Sequence, residues 1–363
     1  MDFGLSQDQR MMVDSLEKAL TQLCPLERVR AFADNKETVA RDLWTGLADL
    51  GVPGLLIAEE HGGLGLTLLD AALAAEAFGR HVAPAPFLGA ALAAIALRDA
   101  GSAAQQSRWL PKLAAGEALA AVAISEAMAG ARDGAGVTAS NGKLNGTSLF
   151  VIDAAEADLI LVADRAGALH LVAGDAPGIS RIALTTVDLT RRLGELRFDN
   201  TPAEPLALGE PSAVLTRLRD AAWVLLAADA LGAGQRMIEK SVAYAAERRQ
   251  FGRVIGSFQA VKHLCAEMAA ELEPCRALVW YAAHAWDAVP DEASLTAAHA
   301  KAHLSEVGRF VARTATEVHG GIGITDLLGL HYWFKRIGLD RQLLGGPERV
   351  RHLAAVLQGL VAA

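Results

Sequence analysis

The sequence predicts a mostly α-helical protein with a central β-domain. Three observations carry that prediction. Residues 1–120 place apolar side chains at helical spacing. Between 121 and 207 the texture changes to short β-favouring runs, broken by Gly, Asn and Asp about every 8–12 residues. From 213 onward long helical stretches return. The predicted units are an N-terminal helical domain (1–120), a middle β-domain (121–208) and a C-terminal four-helix bundle (209–363).

Ser6 stands three residues before Gln9, a capping-box arrangement that starts a helix through Met11–Leu20. A second helix over Arg41–Leu50 is stopped by Gly51 and Pro53. The segment EEHGGLG (59–65) reads as a glycine-rich loop, LLDAALAAEAFGRH as the next helix, and APAPF (83–87) as a connection. LAAVAIS, GVTAS, KLNGTSLFVI, DLILVAD, ALHLVAG and ELRFDN predict the strands of a small antiparallel sheet or barrel. Four C-terminal helices are expected, at 213–248, 258–286, 291–318 and 345–361.

A net charge of −8 disfavours nucleic acid and anionic membranes as partners. Cys24, Cys265 and Cys275 are odd in number and form no CxxC, which fits a reducing compartment without a disulfide framework. The N-terminus lacks a basic region followed by an apolar one, and the run FLGAALAAIAL is too short to cross a bilayer. A cytoplasmic location is the expectation.

The chemistry concentrates in RRQFGRVIGSFQ (248–259). At helical spacing Arg248 and Phe251 fall on one face of a helix end. A guanidinium offers a planar fork to phosphate oxygens, an aromatic ring can lie beside a flat group, and Gln259 brings both a donor and an acceptor. Sixty residues on, EVHGGIGIT (317–325) supplies Glu317 and the glycines Gly320, Gly321 and Gly323, which let backbone approach a pyrophosphate.

RxxFGxxIxxFQ followed by this glycine loop resembles the FAD clasp of the acyl-CoA dehydrogenases. MDFGLSQDQR, EEHGGLG and RQLLGGPERVRHLA fit the same family, so the resemblance spans essentially the whole chain. It implies FAD as cofactor, an acyl-CoA thioester as substrate, and α,β-dehydrogenation. In that reaction a carboxylate removes the α-proton and the flavin receives the β-hydride. It also implies an oligomer in which each FAD lies across two subunits.

The expected base is missing. The two positions the family uses are occupied by Leu344 and Ala222. The flavin-facing segments are altered as well. EAMAGARD (126–133) replaces a segment like EPGAGSD, and Phe150-Val151-Ile152 replaces a strand like W-I-T. Gly346 and Glu348 stand where Thr and Gln usually touch the cofactor. The chain keeps what a subunit lends to its neighbour and lacks what it uses itself. The expectation is therefore a subunit of a mixed α2β2 assembly. Its partner would be a second acyl-CoA dehydrogenase-like chain that carries the Glu, and LLGGPxxR resembles small subunits of bacterial steroid side-chain degradation.

Two alternatives stand beside it. One is a self-sufficient homo-oligomer with a relocated base, for which Asp229, on the stripe of Ala222, is a weak candidate. The other is a structural or regulatory homologue without flavin. Asp220, Asp326 and Asp340 read as capping or paired carboxylates. His319 is expected beside the dinucleotide or on the surface. Lys335 and Arg336 read as a solvated helix end. Trp223 is expected to fill space an acyl chain would otherwise use. No metal site is expected around His319 and His331, and Ser125 lacks the GxSxG context of a serine hydrolase.

Overall fold

The computed structural model describes residues 4–131, 134–206 and 208–362. Met1–Phe3 of the opening motif, and Arg132 and Asp133 of EAMAGARD, lie outside the described residues.

Six helices open the chain: α1 (Gln7–Leu23), α2 (Leu26–Asp34), α3 (Arg41–Ala48), α4 (Leu68–His81), α5 (Phe87–Ala100) and α6 (Ala103–Ala114). The capping box forms as expected. Ser6 Oγ accepts from Gln9 N at 3.1 Å, and Gln9 Oε1 accepts from Ser6 N at 3.0 Å. That satisfies two backbone donors the helix would otherwise leave open. The apolar run at α5 is buried all round, so it reads as a core helix rather than an amphipathic one.

The β-domain contains β1 (Ala120–Ala123), a short α7 (Ser125–Ala129), β2 (Gly136–Ser140), β3 (Lys143–Ile152), β4 (Leu159–Ala163), β5 (Leu169–Ala173), β6 (Ile179–Leu184), β7 (Leu193–Pro202) and β8 (Glu204–Pro205). The strand order is β6-β7-β3-β1-β4-β5-β8, with β2 on β3. The sheet is mixed rather than purely antiparallel, because β1 runs parallel to β4. Central β4 is buried along its whole length. Its Leu159 and Leu161 join the core shared with the helices, while Ile160 and Val162 join a second cluster on the other face. This is the period of two that a strand covered on both sides must show. Strand β6 was not foreseen: ISRIAL lies at the sheet edge with little buried surface, so its apolar signal is weak.

The C-terminal unit is a helical bundle of α8 (Pro211–Glu247), α9 (Gln259–Ala288), α10 (Pro290–His319), α11 (Leu330–Gln342) and α12 (Pro347–Leu357). The added helix is α11. It starts on Gly329 without a side-chain cap and contains Gly338, so neither its start nor its propensity stands out in the sequence.

Helices α4 and α8 cross at backbone contact. A Cβ on Gly79 would lie 1.8 Å from Asp229 O, and one on Gly232 would lie 1.8 Å from Glu76 O. Gly79→Ala is expected to force the helices apart and lower stability by about 1–3 kcal/mol. Thermal unfolding measures it, and a melting temperature equal to that of the parent protein would refute the account.

Candidate functional site

The clasp segment leaves the helix earlier than spacing suggested. Helix α8 ends at Glu247, and Arg248 caps it with extended backbone angles. Arg249–Gln250 and Arg253–Val254 then form a two-stranded hairpin whose turn is Phe251-Gly252. Both turn residues have positive φ, 53° and 80°, as a type I′ hairpin turn requires. Phe251 therefore stands at a hairpin tip and does not share a helix face with Arg248. Its ring is 91% exposed, in a backbone conformation unfavourable for a bulky residue. Strain and exposure together at one aromatic residue mark a position kept for contact.

Arg248 is exposed and makes no side-chain hydrogen bond or ion pair among the described residues. Gln259 opens α9 and is exposed, as is Glu317 in the last turn of α10. The glycine loop divides its labour. Gly320 adopts φ 64° and ψ −149°, a region open to glycine alone. A Cβ on Gly321 would meet nothing, so its surface is free for a ligand to approach. Gly323 does a different job from the one expected of it. A Cβ there would meet His319 Cβ at 2.8 Å and Thr316 O at 2.9 Å, so it is small for internal packing. His319 is buried rather than on the surface: Nδ1 pairs with Ala315 O at 2.7 Å, and the ring stacks on Tyr244 at 4.8 Å. It holds the loop against α8, and burial lowers its pKa. Among the described residues no group of three or more His, Cys, Asp or Glu could hold a metal ion.

A second region lies between the β-domain and the bundle. A cavity of about 750 Å³ is lined by Ser125, Glu126, Gly130, Phe150, Leu344 and Arg349, among others. That volume falls in the range that takes a drug-sized ligand. Glu126 is already engaged, accepting from Ser148 Oγ at 2.7 Å and Leu149 N at 2.6 Å. Ile152, in contrast, points into the core and does not line the cavity. Arg349 is the residue the sequence reading missed. Its signal was a charge in GGPERVR with no helical partner assigned to it.

Neither expected base position carries a proton acceptor, and both are buried, Leu344 at the wall of the cavity. Ala222 is 0% and Leu344 2% exposed. The neighbouring Trp223 is buried and donates from Nε1 to Leu344 O at 2.9 Å, tying the two positions together. Beyond Trp223, a network of charges occupies the space between α4, α5, α8 and α11. Arg336 donates to both oxygens of Asp229, at 2.9 and 2.8 Å, and to Thr190 Oγ1 at 2.9 Å. Arg191 donates to Asp229 at 2.7 Å and also reaches Asp340, whose backbone oxygen accepts from Lys301. Only about 20 Å³ of water-sized space remains there, bordered by Phe78, Phe87, Asp153, Arg191, Asp229 and Arg336. Arg336 is thus a core residue, 2% exposed, and not a solvated helix end.

Asp229 is committed to this network. Burial pushes its carboxyl up, but Arg191 and Arg336 outweigh that and hold it down at about 2. It does not line the large cavity, and a carboxylate so held is a poor base at neutral pH. Burial pushes Asp340 well above the usual carboxylate range against the pull of Arg191. Asp220 pairs with Arg219 at 2.8 Å and Asp326 with Arg30 at 3.7 Å, as paired carboxylates should.

These features fit FAD. The free guanidinium of Arg248 and the open backbone of Gly320 and Gly321 suit a pyrophosphate, and the 750 Å³ cavity suits a flat ring system.

Comparison with known proteins gives the same answer. The family signature "Acyl-CoA dehydrogenase, N-terminal domain" matches residues 6–117, and "Acyl-CoA dehydrogenase, C-terminal domain" matches 214–358. Acyl-CoA dehydrogenase IpdE2 of Mycolicibacterium smegmatis is 31% identical over 353 residues, covering 97% of this chain and 99% of its own. The Mycobacterium tuberculosis protein of the same name is 31% identical over 345 residues, 95% of each chain. Among solved structures, the ChsE4-ChsE5 complex from Mycobacterium tuberculosis superposes with a TM-score of 0.90 at 27% identity over 100% of both chains. The Tcur3481-Tcur3483 steroid ACAD gives 0.88 at 29% identity over 98% of both. The chain belongs to the acyl-CoA dehydrogenase family of FAD-dependent enzymes.

Proposed function

We propose that this chain is the base-lacking subunit of a hetero-oligomeric acyl-CoA dehydrogenase, with its clasp lent to the flavin of a partner chain that carries the catalytic Glu. The observation that carries this reading is that neither base position carries a proton acceptor, with Ala222 buried and Leu344 at the cavity wall, while Arg248 stands exposed and unpaired among the described residues. When bound, FAD supplies the hydride acceptor. Arg248 contributes charge to the pyrophosphate, and Gly320 and Gly321 give it backbone access. Phe251, Ile324 and Leu327, all more than two-thirds exposed, supply the apolar contact a second subunit would cover. Two of the structural neighbours named above are two-component assemblies by their names, and one is a steroid ACAD. Accordingly the substrate assigned is an acyl-CoA with a steroid-type acyl group. The division into 1–120, 121–208 and 209–363 is part of the same reading. No described helix is long and apolar enough to cross a membrane.

The test is expression with and without a dehydrogenase-like partner. The chain alone is expected to oxidise no acyl-CoA, and the pair to turn over. A yellow homo-oligomer that dehydrogenates acyl-CoA unaided would overturn the proposal. The open cavity beside Leu344 favours a second reading, in which this chain also holds a flavin ring of its own.

A further inference from the structure

The large cavity is lined by one cation, Arg349, that has no counter-ion among the described residues. The carboxylate of Glu126 is taken up by Ser148 and by the backbone N–H of Leu149. Glu348, next to Arg349 in sequence, turns toward Arg341 at 3.2 Å and Arg351 at 3.8 Å. Arg349 has no side-chain hydrogen bond or ion pair among the described residues. Its guanidinium lies over Gly130, where a Cβ would come within 3.1 Å of Nη1 and where φ is 86°. Glycine therefore serves twice here. It permits the positive φ, and it leaves room for the guanidinium at the cavity wall. Gly346 and Glu348 stand in this stretch where the family resemblance implies Thr and Gln, while Gln342 and Arg349 line the cavity.

We propose that Arg349 sets the electrostatics of this cavity, so that a flavin ring held there is stabilised whenever it acquires negative charge. The inference rests on the second reading above, that this chain has its own ring site, and is independent of where the catalytic Glu resides. Arg349 is exposed in the empty chain, and a ring that fills the cavity would displace water beside the guanidinium and lower the screening of its charge. Charge near the flavin nitrogens is one of the means by which a protein tunes that cofactor. Arg349 is a positioning and charge-setting residue here, and it takes no proton from the substrate.

Sulfite provides a readout that needs no turnover. Its sulfur lone pair forms a bond to flavin N5, no atom leaves, and the added electron pair places negative charge on the ring, bleaching the 450 nm band. The experiment uses the protein as purified, alone and with its partner, with FAD counted per copy of this chain. Wild type, Arg349→Lys and Arg349→Gln are titrated with sulfite. Arg349→Gln is expected to weaken the adduct about tenfold relative to wild type, with Arg349→Lys recovering most of the loss. A merely structural role would lower FAD content or melting temperature and leave the sulfite affinity of the remaining flavin unchanged. Equal sulfite affinity in wild type and Arg349→Gln overturns the proposal. So does a count of FAD equal to the number of partner chains alone, which would leave the shared-clasp reading standing.

Discussion

Asp229→Asn is expected to destabilise the fold by about 3–5 kcal/mol, because it leaves the buried guanidinium of Arg336 facing a neutral amide and takes one of two carboxylates from Arg191. Arg336 is 2% exposed and cannot turn to solvent, and Arg191 is held between Asp229 and Asp340. Urea denaturation of the variant measures the loss. The double variant Asp229→Leu with Arg336→Met removes both partners and is expected to recover much of it. Loss in the double variant equal to the sum of the two single losses would refute the pairing. Acid acts on the same carboxylate. Its folded pKa of about 2 is below the unfolded value of about 3.9. Its contribution is therefore complete above pH ~4 and fades as pH falls toward ~2. The midpoint of unfolding in acid should shift less for the double variant than for wild type.

Arg248→Ala is expected to weaken FAD retention by the assembled protein about ten- to hundredfold, the range for a charge-assisted hydrogen bond of about 1.5–3 kcal/mol. The residue is exposed and unpaired among the described residues, so folding stability should change by no more than about 0.5 kcal/mol. Flavin lost to an ultrafiltrate at a series of protein concentrations reads the affinity, and calorimetry reads the fold. Unchanged retention would remove Arg248 from the site.

Much of the fold was legible because its elements announce themselves locally. The Ser6–Gln9 box, the β-favouring run of β3 and the long periodic stretches of α8–α10 need no tertiary information. The exposed clasp was legible for a different reason: its residue types are unusual together. What could not be read depended on neighbours distant in sequence. Arg336 looked solvated because nothing local indicates that Asp229, more than a hundred positions away, will meet it in the core. Phe251 was placed on a helix because the i,i+3 spacing says nothing about a turn that accepts positive φ at a phenylalanine. Gly323 looked like a ligand-facing glycine, and only the packing of His319 and Thr316 tells it from Gly321. Arg349 went unnoticed since its meaning depends on the cavity that the β-domain completes.

The hydrogen bond from Trp223 to the carbonyl of Leu344 has a consequence for redesign. Leu344 holds a positive φ of 56°, and Gly345 lies against the indole. A carboxylate introduced at 344 would stand at the wall of the 750 Å³ cavity, with Arg349 on the same lining and the indole bonded to its backbone. One introduced at 222 would be buried inside the protein, where Ala222 is 0% exposed. The bond ties α8 to the segment leading into α12, so the two expected base positions share one piece of packing and would have to be redesigned together.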